Sequence, residues 1–208
     1  MTSRAATSAA PDAPVGPRSE RVDQMLDAAA ELLAVGGYSQ VTTTAVAARA
    51  GVSVGSLHTT FPDRDAVLRE LARRSFERFT RVMAERLARH AVRDLPQMVE
   101  VMVDAYVDFA STEPSTRALS FGGAFERRIL DPDGDADGHV ARALGRLLLV
   151  VRPDLELDDR LLTVLRVAVE ATDGVLQLAL ARHPEPDLVI VAHAKQLLRA
   201  HLGLHIAD

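Results

Sequence analysis

Apolar residues recur every three or four positions along most of this chain, a spacing that predicts amphipathic helices rather than strands. The first predicted helix runs from about Glu20 to Ala34, with Ser19 as its N-cap, and one of its faces carries Val22, Leu26, Ala29 and Leu33. Gly36 and Gly37 end it. We expect Tyr38 to pack beneath the short helices that follow.

The segment Val41 to Phe61 predicts two very short helices around a tight turn. Ala47 is small enough for a second helix to cross nearby, Gly51 can take the positive φ of the turn, and Leu57 is expected to point inward. Thr43 and Ser53 each precede a helical run and are predicted N-caps. This spacing is typical of a helix-turn-helix, in which the second helix enters the major groove of DNA. A helix-loop-helix packed inside some other helical protein would show the same spacing.

Pro62 favours an extended residue before it, and Asp63 is expected to cap a long, arginine-rich helix to about His90. The next predicted helices begin at Pro96, to about Ser111, and at Pro114. An acidic loop at 131–138 precedes a predicted helix over 139–151. The loop has some of the Asp spacing of a calcium site but lacks the terminal Glu, so we predict no metal there.

The last two predicted helices, about 159–182 and 186–202, are apolar around most of their circumference. In the first of them a narrow polar stripe is formed by Thr163, Arg166, Glu170, Asp173 and Gln177. Because a surface helix needs only a limited apolar stripe, we expect a second copy of the chain to cover these helices in a four-helix arrangement. The residues predicted at that interface are Val164, Val167, Ala171, Leu178, Val189, Ala192 and Gln196.

Composition strengthens the helical interpretation. The 208 residues are 48% hydrophobic but only 4% aromatic, and there is no cysteine, which excludes disulfides and thiolate metal sites. No apolar run is long enough to span a bilayer and no signal peptide is recognisable, so we expect a cytoplasmic protein. The formal charge is −5, and residues up to Glu70 include six arginines against eight acidic residues. Net charge therefore gives no support for DNA binding.

The stretch from about Arg21 to Leu71 resembles the DNA-binding domain of the TetR family of bacterial transcriptional regulators. The shared features are the first helix, Gly37-Tyr38, the threonines before the first short helix, the Ala-Gly-Val-Ser at 50–53, and Phe61. The family's usual Tyr is replaced by His58, its usual Lys by Arg64, and a larger aromatic or His by Thr60. The resemblance covers about a quarter of the chain.

Residues 1–17 are rich in Ala, Ser, Thr and Pro and show no periodicity, which predicts a disordered tail. The resemblance implies an all-α protein with a three-helix DNA-binding domain at 18–62 and a helical effector-binding and dimerisation domain at 63–208. By resemblance, the predicted DNA contacts are Thr43, Thr44, Val54, Gly55, Ser56, His58, Thr59, Thr60 and Arg64. The predicted effector-site residues are Phe79, Met83, Met102, Tyr106, Phe109, Phe121, Phe125, Arg166 and Glu170. Methionines and aromatics at helical spacing are also typical of a plain core.

These features predict a homodimeric repressor that leaves a palindromic double-stranded operator when a small, largely apolar effector binds. The alternative is a helical binding or interaction protein whose helix-turn-helix no longer binds DNA. The histidines have no acidic partner at the spacing of a known catalytic motif, and no Gly-rich phosphate loop follows a strand. We therefore expect no enzyme activity, no cofactor, no metal and no membrane association.

Overall fold

The computed structural model of the chain describes residues 17–113, 136–181 and 185–206. Over these ranges the secondary structure is helical, without a strand, which confirms the predicted all-α class. A short 3-10 helix at Tyr38–Gln40 separates the first two α-helices. The α-helices are α1 (Pro17–Gly36), α2 (Thr43–Arg49), α3 (Val54–Thr60), α4 (Arg64–Arg89), α5 (Leu95–Thr112), α6 (Ala136–Val151), α7 (Asp159–Ala181) and α8 (Leu188–His205).

The helix starts follow side-chain capping. Ser53 accepts a hydrogen bond from the Ser56 amide at 3.1 Å, and Asp63 accepts one from the Ala66 amide at 2.7 Å, as predicted. The predicted cap of α2 was wrong, because Thr42 and not Thr43 accepts from an amide of the first turn, at 3.1 Å. Each such cap stabilises its helix by about 1 kcal/mol.

Several predicted boundaries shift by a few residues. Pro17, predicted to belong to the tail, is the first residue of α1, a position where proline's missing N–H is tolerated. Helix α6 begins at Ala136, so the predicted loop ends before residue 138. Asp187 caps α8, which continues to His205 rather than ending near residue 202. The predicted helix beginning at Pro114 and the tail before residue 17 lie outside the described residues.

Two separate apolar cores organise the described helices. The first joins α1, α2, α3 and the start of α4, and its fully buried members include Met25, Leu26, Val46, Leu57 and Leu68. The second joins the end of α4 with α5, α6, α7 and α8. Helix α4 contributes to both cores, with Leu71 in the first and Leu87 in the second. The predicted domain boundary after residue 62 stays a prediction.

Ion pairs hold α4 to the helices on either side of it. The Arg74 guanidinium donates to Asp27 of α1 at 2.8 Å and lies 3.3 Å from Asp23, and the Arg74 side chain is only 18% exposed. Further along, α4 is joined to α5 and the residue after it by Arg86–Asp108 at 2.7 Å and Arg78–Glu113 at 2.5 Å. Helix α4 is therefore the physical connection between the two cores.

Within the described ranges, each helix is too short or too polar to cross a membrane.

Candidate nucleic-acid interface and effector region

The turn between α2 and α3 is built on Gly51, whose φ of +68° confirms the prediction from spacing. The Val52 amide donates to the Ala47 carbonyl at 3.0 Å, and the Gly51 amide donates to the Ala48 carbonyl at 3.3 Å. This is the hydrogen-bond pattern of a Schellman motif, which places the residue after the helix in the left-handed region. A Cβ on Gly51 would meet no atom within 4 Å. The turn therefore requires glycine for its backbone conformation and not for space.

Helix α3 is fixed by one buried side chain, and most of its other residues are exposed. Leu57 and Ala47 are both fully buried, so the two short helices cross closely. Four predicted DNA-contact residues of α3 are exposed, and Ser56 and Thr60 are half-buried. In α2, Thr44 is exposed and Thr43 is half-buried. The exposed set on α3 is Val54, Gly55, His58 and Thr59.

The threonine hydroxyls of α3 are oriented by their own helix. Thr59 donates to the Gly55 carbonyl at 2.9 Å, and Thr60 donates to the Ser56 carbonyl at 3.5 Å. A hydroxyl held in this way presents its lone pairs outward, and it must rotate before it can donate to a phosphate oxygen.

His58 is held by the turn that follows α3. Its Nδ1 lies 3.1 Å from the Pro62 carbonyl oxygen. Because a carbonyl can only accept, this contact assigns the proton of the neutral ring to Nδ1. Nε2 then carries a lone pair in the neutral ring and an N–H only in the imidazolium. A hydrogen bond from Nε2 to a phosphate therefore requires protonation of His58.

Arg64, the first residue of α4, lies against Tyr38. The Arg64 Cζ is 3.9 Å from the centroid of the Tyr38 ring, and Nη2 donates to the Tyr38 hydroxyl at 2.5 Å. That hydroxyl donates to Asp65 at 2.9 Å, and Arg64 Nε lies 3.6 Å from the same carboxylate oxygen. Burial, and next the hydrogen bond to Asp65, raise the pKa of Tyr38 above its ordinary value. The sequence did not predict this cluster, because Tyr38 is 26 positions from Arg64 and 27 positions from Asp65.

Other arginines of the N-terminal unit also have acidic partners. Arg49 of α2 donates to Glu31 of α1 at 2.6 Å, and Arg69 lies 3.9 Å from Asp63. These acidic partners neutralise the arginines that they contact. The pairs therefore do not create a basic surface that would offset the acidic composition of this unit.

In the predicted effector region, three aromatic side chains meet between α4 and α5. The ring centroid of Phe79 lies 5.6 Å from that of Tyr106 and 5.4 Å from that of Phe109, both within the usual range for aromatic pairs. Met83 is buried and Met102 half-buried nearby in the sequence. Phe121 and Phe125, predicted for the same site, lie outside the described residues.

A polar chain connects this aromatic cluster to α7. The Tyr106 hydroxyl donates to one oxygen of Asp173 at 3.1 Å, and the Gln177 amide donates to the other at 2.8 Å. Asp173 and Gln177 were predicted only as part of a polar stripe, so the sequence did not assign them to this region. Arg166 and Glu170, which were predicted for the effector site, are exposed on α7 in the single chain.

The predicted dimerisation residues are mostly exposed. Leu178 of α7 is 58% exposed and Val189 of α8 is 68% exposed, while Val164 is buried in its own chain's core and has little surface left for a partner. Val167, Ala192 and Gln196 are exposed, and Ala171 is half-buried. The sequence missed three further exposed apolar residues of α8, Leu188, Leu197 and Leu204.

The described residues contain no group of three or more His, Asp or Glu side chains that could hold a metal ion.

Two family profiles cover most of the chain. The profile described as "Bacterial regulatory proteins, tetR family" matches residues 25–71. The profile described as "Tetracyclin repressor-like, C-terminal domain" matches residues 93–206. These ranges correspond closely to the two apolar cores.

Individual relatives agree with the profiles. The HTH-type transcriptional repressor KstR from Rhodococcus jostii (strain RHA1) is 30% identical over 167 residues, which are 80% of this chain and 76% of KstR. The crystal structure of a TetR-family transcriptional regulator from Streptomyces coelicolor has a TM-score of 0.75 and 33% identity, covering 91% of this chain and 99% of that one. Thermus thermophilus FadR, a repressor crystallised with lauroyl-CoA, shares the fold at a TM-score of 0.60 and 17% identity, covering 90% and 96% of the two chains.

Proposed function

The chain belongs to the TetR family of bacterial transcriptional regulators, and we propose that it is a homodimeric repressor of this type. In this proposal two recognition helices bind a palindromic operator in the cytoplasm. Binding of a small, largely apolar effector to the C-terminal helices then favours a state of the dimer that fits the operator less well. An effector can shift this equilibrium only by its differential affinity for the two states.

The observation that carries the proposal is the geometry of α3. A Schellman turn and the buried Leu57 fix this helix against α2, while Val54, Gly55, His58 and Thr59 remain exposed on its outer surface. A short helix with a fixed base and an exposed surface of small and polar residues suits the major groove. Val54 offers an apolar contact to a thymine methyl, and the hydroxyls and imidazole offer contacts to bases and phosphates.

The exposed apolar residues of α7 and α8 support the homodimer. Leu178, Val189 and Leu204 are each more than half exposed in the single chain, and they lie on two helices packed against each other. A second copy applied to these helices would form a four-helix bundle and remove the apolar side chains from water. Such a dimer would present two α3 helices about one turn of DNA apart.

Support for a largely apolar effector comes from the aromatic cluster of Phe79, Tyr106 and Phe109. Apolar and aromatic lining with a small number of polar groups is the usual chemistry of a ligand site. The Tyr106–Asp173 hydrogen bond supplies one such polar group beside the rings. FadR, which shares this fold, forms a complex with lauroyl-CoA, a ligand that carries an apolar chain. If an effector is found, unchanged affinity in Arg166→Ala would remove Arg166 from its site.

The decisive experiment measures binding of the purified full-length protein to the DNA upstream of its own gene, by fluorescence anisotropy at several salt concentrations. We expect affinity that falls steeply with salt, as phosphate contacts require, and that exceeds the affinity for a scrambled duplex. Thr59→Glu places a negative charge on the exposed surface of α3 and should abolish binding. Thr112→Glu, an equally exposed threonine at the end of α5, is the matched control and should have no effect.

One alternative is supported by the acidic partners of Arg49 and Arg64. In this alternative the chain is a helical small-molecule binding or interaction protein whose helix-turn-helix no longer binds DNA. The same titration separates the two functions, because the alternative predicts no salt-dependent binding to the upstream DNA.

A further inference from the structure

We propose that Tyr38 and Asp65 are positioning residues for DNA binding, which hold the Arg64 guanidinium in place for a phosphate contact. Tyr38 would then affect DNA affinity only through Arg64. This inference rests on the proposed DNA-binding function, and it assigns a role to two residues that do not themselves belong to the predicted contact set.

Stacking provides the first part of the argument. The Arg64 Cζ lies 3.9 Å from the Tyr38 ring centroid, so the flat guanidinium lies over the aromatic face. A lysine ammonium can also lie over an aromatic ring, but only the planar, weakly hydrated guanidinium of arginine can stack flat on it. Arg64, which stands where the family usually has lysine, can therefore stack on the Tyr38 ring.

A directed hydrogen-bond chain provides the second part. Arg64 donates to the Tyr38 hydroxyl at 2.5 Å, and that hydroxyl donates to Asp65 at 2.9 Å. A hydroxyl can accept from a guanidinium and donate to a carboxylate at the same time. Asp65 thus fixes the hydroxyl proton, which leaves a lone pair of the hydroxyl for Arg64. Phenylalanine at position 38 would keep the ring but lose both hydrogen bonds.

The position of the cluster points to phosphate rather than to a purely structural role. Arg64 directly follows the α3–α4 turn, where the Pro62 carbonyl also holds His58. Its side chain is 36% exposed, and the hydrogen bond to Tyr38 uses only one of the several N–H donors of the guanidinium. The ion pair with Asp65 involves Nε, so the two N–H donors of Nη1 are left for a phosphate next to the turn that ends α3.

Holding the side chain in advance has an energetic consequence. A free arginine side chain loses rotamer freedom when it is immobilised at an interface, and this loss opposes binding. A guanidinium already confined by a ring and a hydroxyl has less freedom to lose. Removing Tyr38 should therefore weaken the phosphate contact even though Arg64 is still present.

A double-mutant cycle on DNA binding tests the inference with the full-length chain and the upstream DNA. We expect Arg64→Met to weaken binding roughly tenfold and to reduce the slope of log affinity against log salt by about 1. Tyr38→Leu should weaken binding by several-fold, and the double variant should bind no worse than Arg64→Met. Additive effects of the two substitutions would overturn the proposal, because Tyr38 would then act independently of Arg64.

Two further variants control for charge and for folding. Arg73 lies on the same helix as Arg64, about 13 Å further along the helix axis. It is exposed and paired with Glu70 and Glu77, so Arg73→Met removes one positive charge away from the proposed phosphate contact. It should leave the salt slope unchanged. Tyr38→Phe keeps the packed ring, and it should weaken binding about threefold in the native background and not at all with Arg64→Met. If Tyr38→Leu fails to fold, as judged by circular dichroism, Tyr38→Phe decides the outcome in the same cycle.

Failure of the inference differs from failure of the proposed function. If the native protein binds the upstream DNA with a clear salt dependence but the cycle is additive, only the positioning role is wrong. If the native protein shows no salt-dependent binding, the proposed function and the positioning role are both overturned.

Discussion

Gly37 and Gly51 share a φ of +68°, but their backbones require glycine to different degrees. Gly51 lies in a Schellman turn, and the left-handed region of such a turn tolerates asparagine. Gly37 has a ψ of −168°, which belongs to a region that is essentially restricted to glycine. Because a Cβ at either position would meet nothing within 4 Å, any difference between substitutions must come from the backbone.

These conformations set the expected losses in the free energy of unfolding. Gly51→Ala should destabilise by about 1 kcal/mol, since left-handed strain of about 1–2 kcal/mol is partly offset by the lower entropy of the unfolded chain. Gly51→Asn should lose less than Gly51→Ala. Gly37→Ala and Gly37→Asn should each lose about 2 kcal/mol, because asparagine has no advantage at that ψ.

Urea denaturation of the full-length protein, followed by far-ultraviolet circular dichroism, measures these losses. Because the two apolar cores can unfold separately, hydrogen exchange of peptides from residues 33–60 should locate each loss in the N-terminal unit. Rescue by asparagine at both positions, or at neither, would refute the reasoning. A loss larger than about 4 kcal/mol at Gly51 would show that the site lacks the free space described above.

Three other predictions follow from contacts and exposures. His58→Ala should weaken binding to the upstream DNA and to unrelated DNA by similar factors; a large loss of base preference with little loss of affinity would contradict the phosphate role. Val189→Glu should convert a dimer to a monomer in light scattering after size exclusion, whereas Val150→Glu, on the exposed side of α6, should not, and the reverse result would contradict the interface. Because the pKa of Tyr38 is raised, its contribution to stability is complete below about pH 10 and is lost as the pH rises further, so Tyr38→Phe should flatten the fall in stability above about pH 10; a steeper fall would reverse the sign.

The helix-turn-helix could be predicted because its determinants are local. Gly51 and Leu57 act within a few residues of one another, so their spacing predicts both the turn and the buried position. The N-cap of α2 was predicted one residue too late for an equally local reason. Three consecutive threonines can all cap a helix, and the sequence alone does not say which of them takes the extended conformation found at Thr42.

The side-chain partners in the candidate sites could not be predicted, because they join distant parts of the chain. Tyr38 meets Arg64 across 26 residues, and Tyr106 meets Asp173 across 67 residues. Periodicity places each residue on a face of its own helix but does not say which face of another helix lies opposite. The same ambiguity affected Val164, because a helix that is apolar on most sides does not reveal which side its own chain covers.

Helix α4 also has a mechanical consequence. Its 26 residues make a rod about 39 Å long, and none of its side chains between Leu71 and Met83 is buried. If this rod is held in the second core at Leu87, the arm to Arg64 is about 35 Å long, and a tilt of only about 6° displaces that end by about 3.6 Å, close to the axial rise of one base pair. In the proposed dimer, a rotation of this size on each side would move the two recognition helices out of register with consecutive major grooves. Displacements of about 1 Å at Phe79 and Met83, which lie between Leu87 and the middle of the rod, would thus be amplified into a shift of about one base pair at each recognition helix.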